Sequence, residues 1–128
     1  MRRVLRAVSA VLLSVCVAGA CASPTLPLPP PAIPSIAAAG GGKYALSSEH
    51  GVEPNAVVVI YNHNESLPRN ERVAGTLADS EGNWDQTIIA LPNDVIDVSQ
   101  EFGSMRSATT TFSIPPAPID AGAGDGAP

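Results

Sequence analysis

Ala56-Val57-Val58-Val59-Ile60-Tyr61 is a run of β-branched residues closed by an aromatic, and it reads as a strand. It is too short for a helix, and Asn62-His63-Asn64 directly after it are residues that bond their own backbone and so favour a turn. Working outward, Val73 to Ala78, Trp84 to Leu91, Val95 to Phe102 and Ala108 to Ile114 repeat the pattern. The gaps Asp79-Ser80-Glu81-Gly82-Asn83, Pro92-Asn93-Asp94 and Gly103-Ser104 supply turn chemistry of the same kind. No window sustains a helical period. Many short strands with regular turns predict an all-β sandwich, because a lone sheet of this size leaves one apolar face in water.

Alternation assigns the faces. Ala56, Val58 and Ile60 share one side of their strand, and Ile96 and Val98 oppose Asp97 and Ser99 on theirs, so the two apolar sets are expected to meet in the core. Trp84 and Ile88 point the same way, which makes Trp84 a core anchor rather than a platform for a ligand. Gln86 falls between them and breaks the pattern. Phe102 and Phe112 are expected in the core or capping its ends.

The segments Asn55 to Tyr61, Ala78 to Trp84 and Asp94 to Val98, with Gly103 and Ser107 closing the series, resemble bacterial immunoglobulin-like domains. Members of that family read GAxVxV, ADxxGxW, GDxIxV and GNxS in this order. Asn55 stands in place of the usual glycine, and Phe102-Gly103-Ser104 replaces a frequent Asp-x-x-Gly-Asn turn. The resemblance covers Val52 to Ile114 and implies a small immunoglobulin-like β-sandwich. Its motifs are structural punctuation and speak to fold rather than function.

The amino-terminal residues carry a different message. Arg2, Arg3 and Arg6 precede a stretch from Ala7 to Ala20 that is apolar or small throughout, the layout of an export signal over residues 1 to 20. The stretch is too short to span a bilayer. Val17-Ala18-Gly19-Ala20-Cys21 resembles the lipobox of bacterial lipoproteins, which implies cleavage before Cys21, a diacylglycerol thioether on its sulfur and further acylation such as palmitate. Ala18 stands where that family has a larger aliphatic residue, so ordinary secretion with cleavage after Ala20 or Ala22 stays open. Val15 before Cys16 is too large for a cleavage site, which leaves Cys16 inside the apolar stretch. Arg6 interrupts the apolar pair that a twin-arginine signal needs after Arg2 and Arg3, favouring general secretion. Removing the signal leaves Cys21 alone, so no internal disulfide is available. Ala22 after it is compatible with sorting to the outer membrane.

Cleavage also removes three of seven basic residues and none of twelve acids, leaving four minus twelve, a net charge of −8. With Lys43, Arg69, Arg72 and Arg106 scattered singly, the chain is not expected to bind nucleic acid or to adsorb to anionic headgroups. Residues 21 to 42 hold Pro24, Pro27, Pro29, Pro30, Pro31 and Pro34 and then a Gly-rich joint, the composition of an extended polyproline stalk. PxxP strings such as Pro24 to Pro27 are also a form of ligand for aromatic grooves. Residues 43 to 114 form the domain, and residues 115 to 128 a second Pro, Gly and Ala-rich tail expected to be disordered.

Chemistry is sparse. His50 and His63 sit in loops, no nucleophile elbow surrounds any serine, and no catalytic residue, metal site or cofactor is expected. Asp79, Glu81 and Asn83 alternate as calcium ligands do, yet Gly82 is misplaced for a calcium loop and the later bidentate acid is missing. His63 beside Glu65 and Glu49 beside His50 are no more than adjacent loop pairs. The sequence therefore points to a non-enzymatic envelope lipoprotein, a surface binding or spacer module for an envelope protein or glycan. The alternative is an accessory subunit of a larger envelope enzyme or transporter. A large exposed apolar patch on the folded domain would favour a dedicated partner, and a polar surface a spacer.

Overall fold

The computed structural model describes residues 26–116. The expected signal, Cys21 and nearly all of the carboxy-terminal tail lie outside them. Among the described residues, eight strands form two antiparallel sheets packed as a small β-sandwich: β1 (Ser35–Gly40), β2 (Lys43–Ser48), β3 (Val57–Asn62), β4 (Val73–Leu77), β5 (Trp84–Ile89), β6 (Val95–Phe102), β7 (Met105–Arg106) and β8 (Thr110–Ser113). The smaller sheet runs β1-β2-β5. The larger runs β4-β3-β6-β7, with β8 also on β6.

Side-chain period fixes the core. Ala56, Val58 and Ile60 from around β3 and Ile96 and Val98 from β6 are buried against Leu46, Trp84 and Ile88 of the smaller sheet. Ile36, Tyr44, Ala74 and Phe112 pack around them. Gln86 is half-buried opposite Leu46, whose side chain fills the core at that level, and its amide turns to donate to the Thr87 carbonyl at 3.0 Å. The expected place of Phe102 is corrected. It is exposed at the end of the longest strand, beyond the last buried residue of that row, Gln100.

β7 and β8 share one edge of β6. Five residues from Arg106 to Thr110 answer four from Glu101 back to Val98, a bulge whose extra residue falls after Ser107, which still faces Gln100. The Ser107 hydroxyl accepts from the Gln100 amide at 3.0 Å and donates to the Ala108 carbonyl at 2.7 Å, standing in for ladder partners. Asn93, Gly82 and Gly103 adopt positive φ in the turns where the sequence places them.

The boundary at residue 43 is also corrected. Ala37 to Gly42, expected as a flexible joint, is half of a hairpin in which Ser35 pairs with Ser47 and Ile36 with Leu46. Gly40, Gly41 and Gly42 all have positive φ, so the glycines make the turn. Upstream of β1, Leu28, Pro31 and Pro34 are buried while the residues between them are exposed. A period of three is that of a polyproline II helix laid along a surface. Gln100 Nε2 donates to the Pro29 carbonyl at 2.7 Å, Ala32 donates to the Gly51 carbonyl at 2.9 Å, and the Thr110 hydroxyl donates to the Pro31 carbonyl. The proline strip is thus extended, as its composition predicts, but stitched to the domain rather than free.

This strip meets the sandwich at the end where Gly51, Glu53 and Gln100 gather. The chain leaves β8 at the other end, where Asn93 donates to the Ile114 carbonyl at 3.0 Å and Ile114 to that of Asp94 at 2.8 Å.

Candidate functional site

At the strip end, Asp79 organises the crossing from β4 to β5. Its Oδ1 accepts the amides of Glu81 and Asn83 at 2.8 and 3.0 Å, and its Oδ2 accepts Asn83 Nδ2 at 3.0 Å. These bonds, that to the Asn83 amide foremost, hold the carboxyl below the usual carboxylate range. Asn83 Oδ1 accepts the His50 amide at 2.8 Å, and His50 Nδ1 lies 2.8 Å from the Glu81 carbonyl, which only accepts, so the proton sits on Nδ1. Gly82 closes the knot, with φ +82 and the Val52 carbonyl 2.2 Å from where a Cβ would sit. The residues that resemble calcium ligands are thus spent on their own turn, and Asp94 lies at the opposite end of the sandwich.

At the exit end Asp94 plays the matching part. It accepts Asn62 Nδ2 at 2.8 Å, Asn64 Nδ2 at 2.9 Å and the Leu91 amide at 2.8 Å, satisfying a buried Asn62. Beside it, Asp97 of β6 accepts the Thr111 hydroxyl on one oxygen and contacts His63 Nε2 at 2.7 Å with the other. Thr111 first and His63 second hold this carboxyl below its usual range. Histidine, carboxylate and hydroxyl together suggest a triad, but the order is wrong: the carboxylate stands between the other two, so the hydroxyl faces a weakly basic carboxylate and not the imidazole. Among the described residues, no group of three or more His, Cys, Asp or Glu is arranged to hold a metal ion.

An open cleft of about 560 Å³ lies at the strip end, lined by Ser47, Ser48, Glu49, Asn55, Asp79 and Asp85. Trp84 lies under it and is 4% exposed, a core anchor as its position on the inward face predicts. Its Nε1 is buried without a partner.

The surface with the most to offer is the outer face of the larger sheet. Val57 pairs with Leu77, Val59 with Gly75 and Tyr61 with Val73, so these six residues of β3 and β4 form two apolar rows side by side. Leu77 is 65% exposed, Val73 54%, Val57 44% and Tyr61 37%. Gly75 leaves a dent at the centre. The rows are bordered by His63, whose ring meets Tyr61 edge-on at 4.9 Å, and by Asp97, Ser99 and Glu101 on β6. By contrast the outer face of the smaller sheet carries Ser35, Ser47 and Asp85 in one row and Ala37, Ala45 and Thr87 in the next.

Sequence reasoning passed over this face, although its signal was present. Val57 to Tyr61 is apolar at every position, and a run without alternation marks a strand with both faces apolar. Cys21, the lipidation residue expected from the sequence, lies outside the described residues. No protein-family profile, characterised protein or solved structure matches the chain.

Proposed function

We propose that the chain is a non-catalytic envelope lipoprotein, anchored through Cys21, whose immunoglobulin-like sandwich is a binding module. The observation that carries the binding role is the exposed apolar face of β3 and β4. A spacer has no use for Val57, Tyr61, Val73 and Leu77 on adjacent strands in water, and a contiguous patch of this kind suits a protein surface. The strand order supports the immunoglobulin-like reading, with first, second and fifth strands in one sheet and third, fourth, sixth, seventh and eighth in the other. The lipobox-like Val17 to Cys21 supports the anchor, since about 0.8 kcal/mol per buried methylene makes two acyl chains sufficient for stable attachment. An acidic domain contributes none of that attachment.

Two measurements test the two halves. Cys21→Ser releases the protein from the membrane fraction in detergent partitioning, and retention after a high-salt wash would refute the anchor. A photo-crosslinking residue at Tyr61 yields a discrete adduct in intact envelopes, whereas the same residue at Thr87 on the other sheet does not. Equal labelling from both faces would refute the binding role.

A further inference from the structure

β4 ends the larger sheet, and its hydrogen-bonding groups can be assigned. Ala78 donates to the Ala56 carbonyl at 2.9 Å and Asn62 to that of Arg72 at 2.7 Å. Antiparallel bonds recur at every second residue, so Ala74 and Thr76 bond to β3 while Val73, Gly75 and Leu77 direct their N–H and C=O groups away from it. Among the described residues no strand pairs on that side. The edge also lacks the usual protection. Val73-Ala74-Gly75-Thr76-Leu77 contains no charge and no proline, and its register with β3 is unbroken, whereas β1 has a bulge between Ala38 and Gly40 and β5 carries Asp85.

We propose that β4 pairs antiparallel with β4 of a second copy of this chain, about a two-fold axis at Gly75. The strand is complementary to itself in this arrangement. Gly75 faces Gly75 of the second copy, Val73 faces its Leu77, and the outward groups of all three residues form backbone bonds. Charge fixes both the partner and the direction. Arg69 and Arg72 precede β4, and Asp79 and Glu81 follow it. Antiparallel pairing sets the arginine end of each copy beside the acidic end of the other, twice by symmetry, and Glu71 is the lone acid among the basic pair. Parallel pairing would set acid against acid. The result is one sheet running through both copies, with their apolar outer faces adjoining. The pairing uses backbone groups of the edge and does not rest on the binding role proposed for the face.

The test is Gly75→Cys in the full chain, oxidised in detergent and run without reductant. Directly opposed residues of a hydrogen-bonded antiparallel pair have Cα atoms about 5.5 Å apart, within the span a disulfide bridges. A Cβ at Gly75 meets only the Val58 carbonyl, at 3.5 Å, an ordinary contact, so the variant folds. It is expected to form a disulfide-linked dimer well above the background of the unsubstituted chain, while Thr87→Cys stays at background. In sedimentation of the full chain, Arg69→Glu weakens the dimer about tenfold, the loss of one close charge pair repeated by symmetry, and adding Glu81→Arg restores it. Crosslinking of Gly75→Cys no greater than that of Thr87→Cys, linkage to a different protein, or a monomer at every concentration would overturn the proposal.

Discussion

The two sheets solve the same packing problem with different materials. The smaller sheet reaches the core through a few large side chains, Leu46, Trp84 and Ile88 with Tyr44 beside them, and turns small and polar residues to water. The larger sheet fills its side chiefly with aliphatic residues, Ala56, Val58, Ile60, Ile96 and Val98, and keeps an apolar outer surface as well. A sheet finished with Ser, Ala and Thr needs nothing more. One that leaves valines, a leucine and a tyrosine exposed is unfinished until something covers it.

The sharpest way to test this division is to remove one large anchor. Trp84→Ala is expected to cost about 3 to 5 kcal/mol in chemical denaturation, more than Val58→Ala across the core, because its volume has no neighbour of similar size to fill it. Trp84→Phe costs much less. The Nε1 has no partner to lose, so only volume is removed. If the alanine variant unfolded like the parent, the smaller sheet would not hang on its large residues.

Next in size is the seam between strip and sandwich. Gln100 is buried, accepts the Glu53 amide at 2.7 Å and donates to Pro29 at 2.7 Å, so it ties the strip to the larger sheet. Gln100→Leu leaves both backbone groups without their partner and is expected to cost about 1 to 3 kcal/mol. Faster proteolysis between Leu28 and Pro34 would report the loosened strip.

The outer faces should respond least in stability. Leu77→Lys is expected to change unfolding free energy by less than about 0.5 kcal/mol, since the side chain is already in water, yet to lower the binding of a hydrophobic dye. A large loss of stability would show that the face is internal packing. Smaller still is the effect of acid on Asp97. Its folded pKa is lowered, so its contribution is complete above the unfolded value and is lost as pH falls below about 4 through the folded one. Asp97→Asn should flatten that part of the acid-unfolding curve while leaving neutral pH almost unaffected.

The same contrast explains what the sequence revealed. The strands of the larger sheet are legible because Val57 to Tyr61 and Val95 to Val98 are dense in β-branched residues. Ser35 to Gly40 and Lys43 to Ser48 are not, being mostly Ser, Ala and Gly; they become strands because Ile36, Tyr44 and Leu46 find a core to enter. The prolines of Leu28 to Pro34 state their conformation but not what they lie against, since that depends on Gln100 and Thr110, 71 and 79 residues away from their carbonyl partners. The outer apolar rows were readable one strand at a time. Their pairing across Gly75 was not.

The stitched strip changes what an anchor at Cys21 would do. Six residues separate Cys21 from Leu28, at most about 25 Å of extended chain, so the module would pivot close to the bilayer instead of sweeping a wide radius. Glu49, Glu53, Asp79, Glu81 and Asp85 surround the end at which the strip meets the sandwich, and that end would face the headgroups. Anionic lipids would repel it over a screening distance of about 8 to 10 Å. The acids would then act as a bumper that keeps the domain upright, with its long apolar flank held sideways over the membrane, open to a neighbour anchored in the same leaflet.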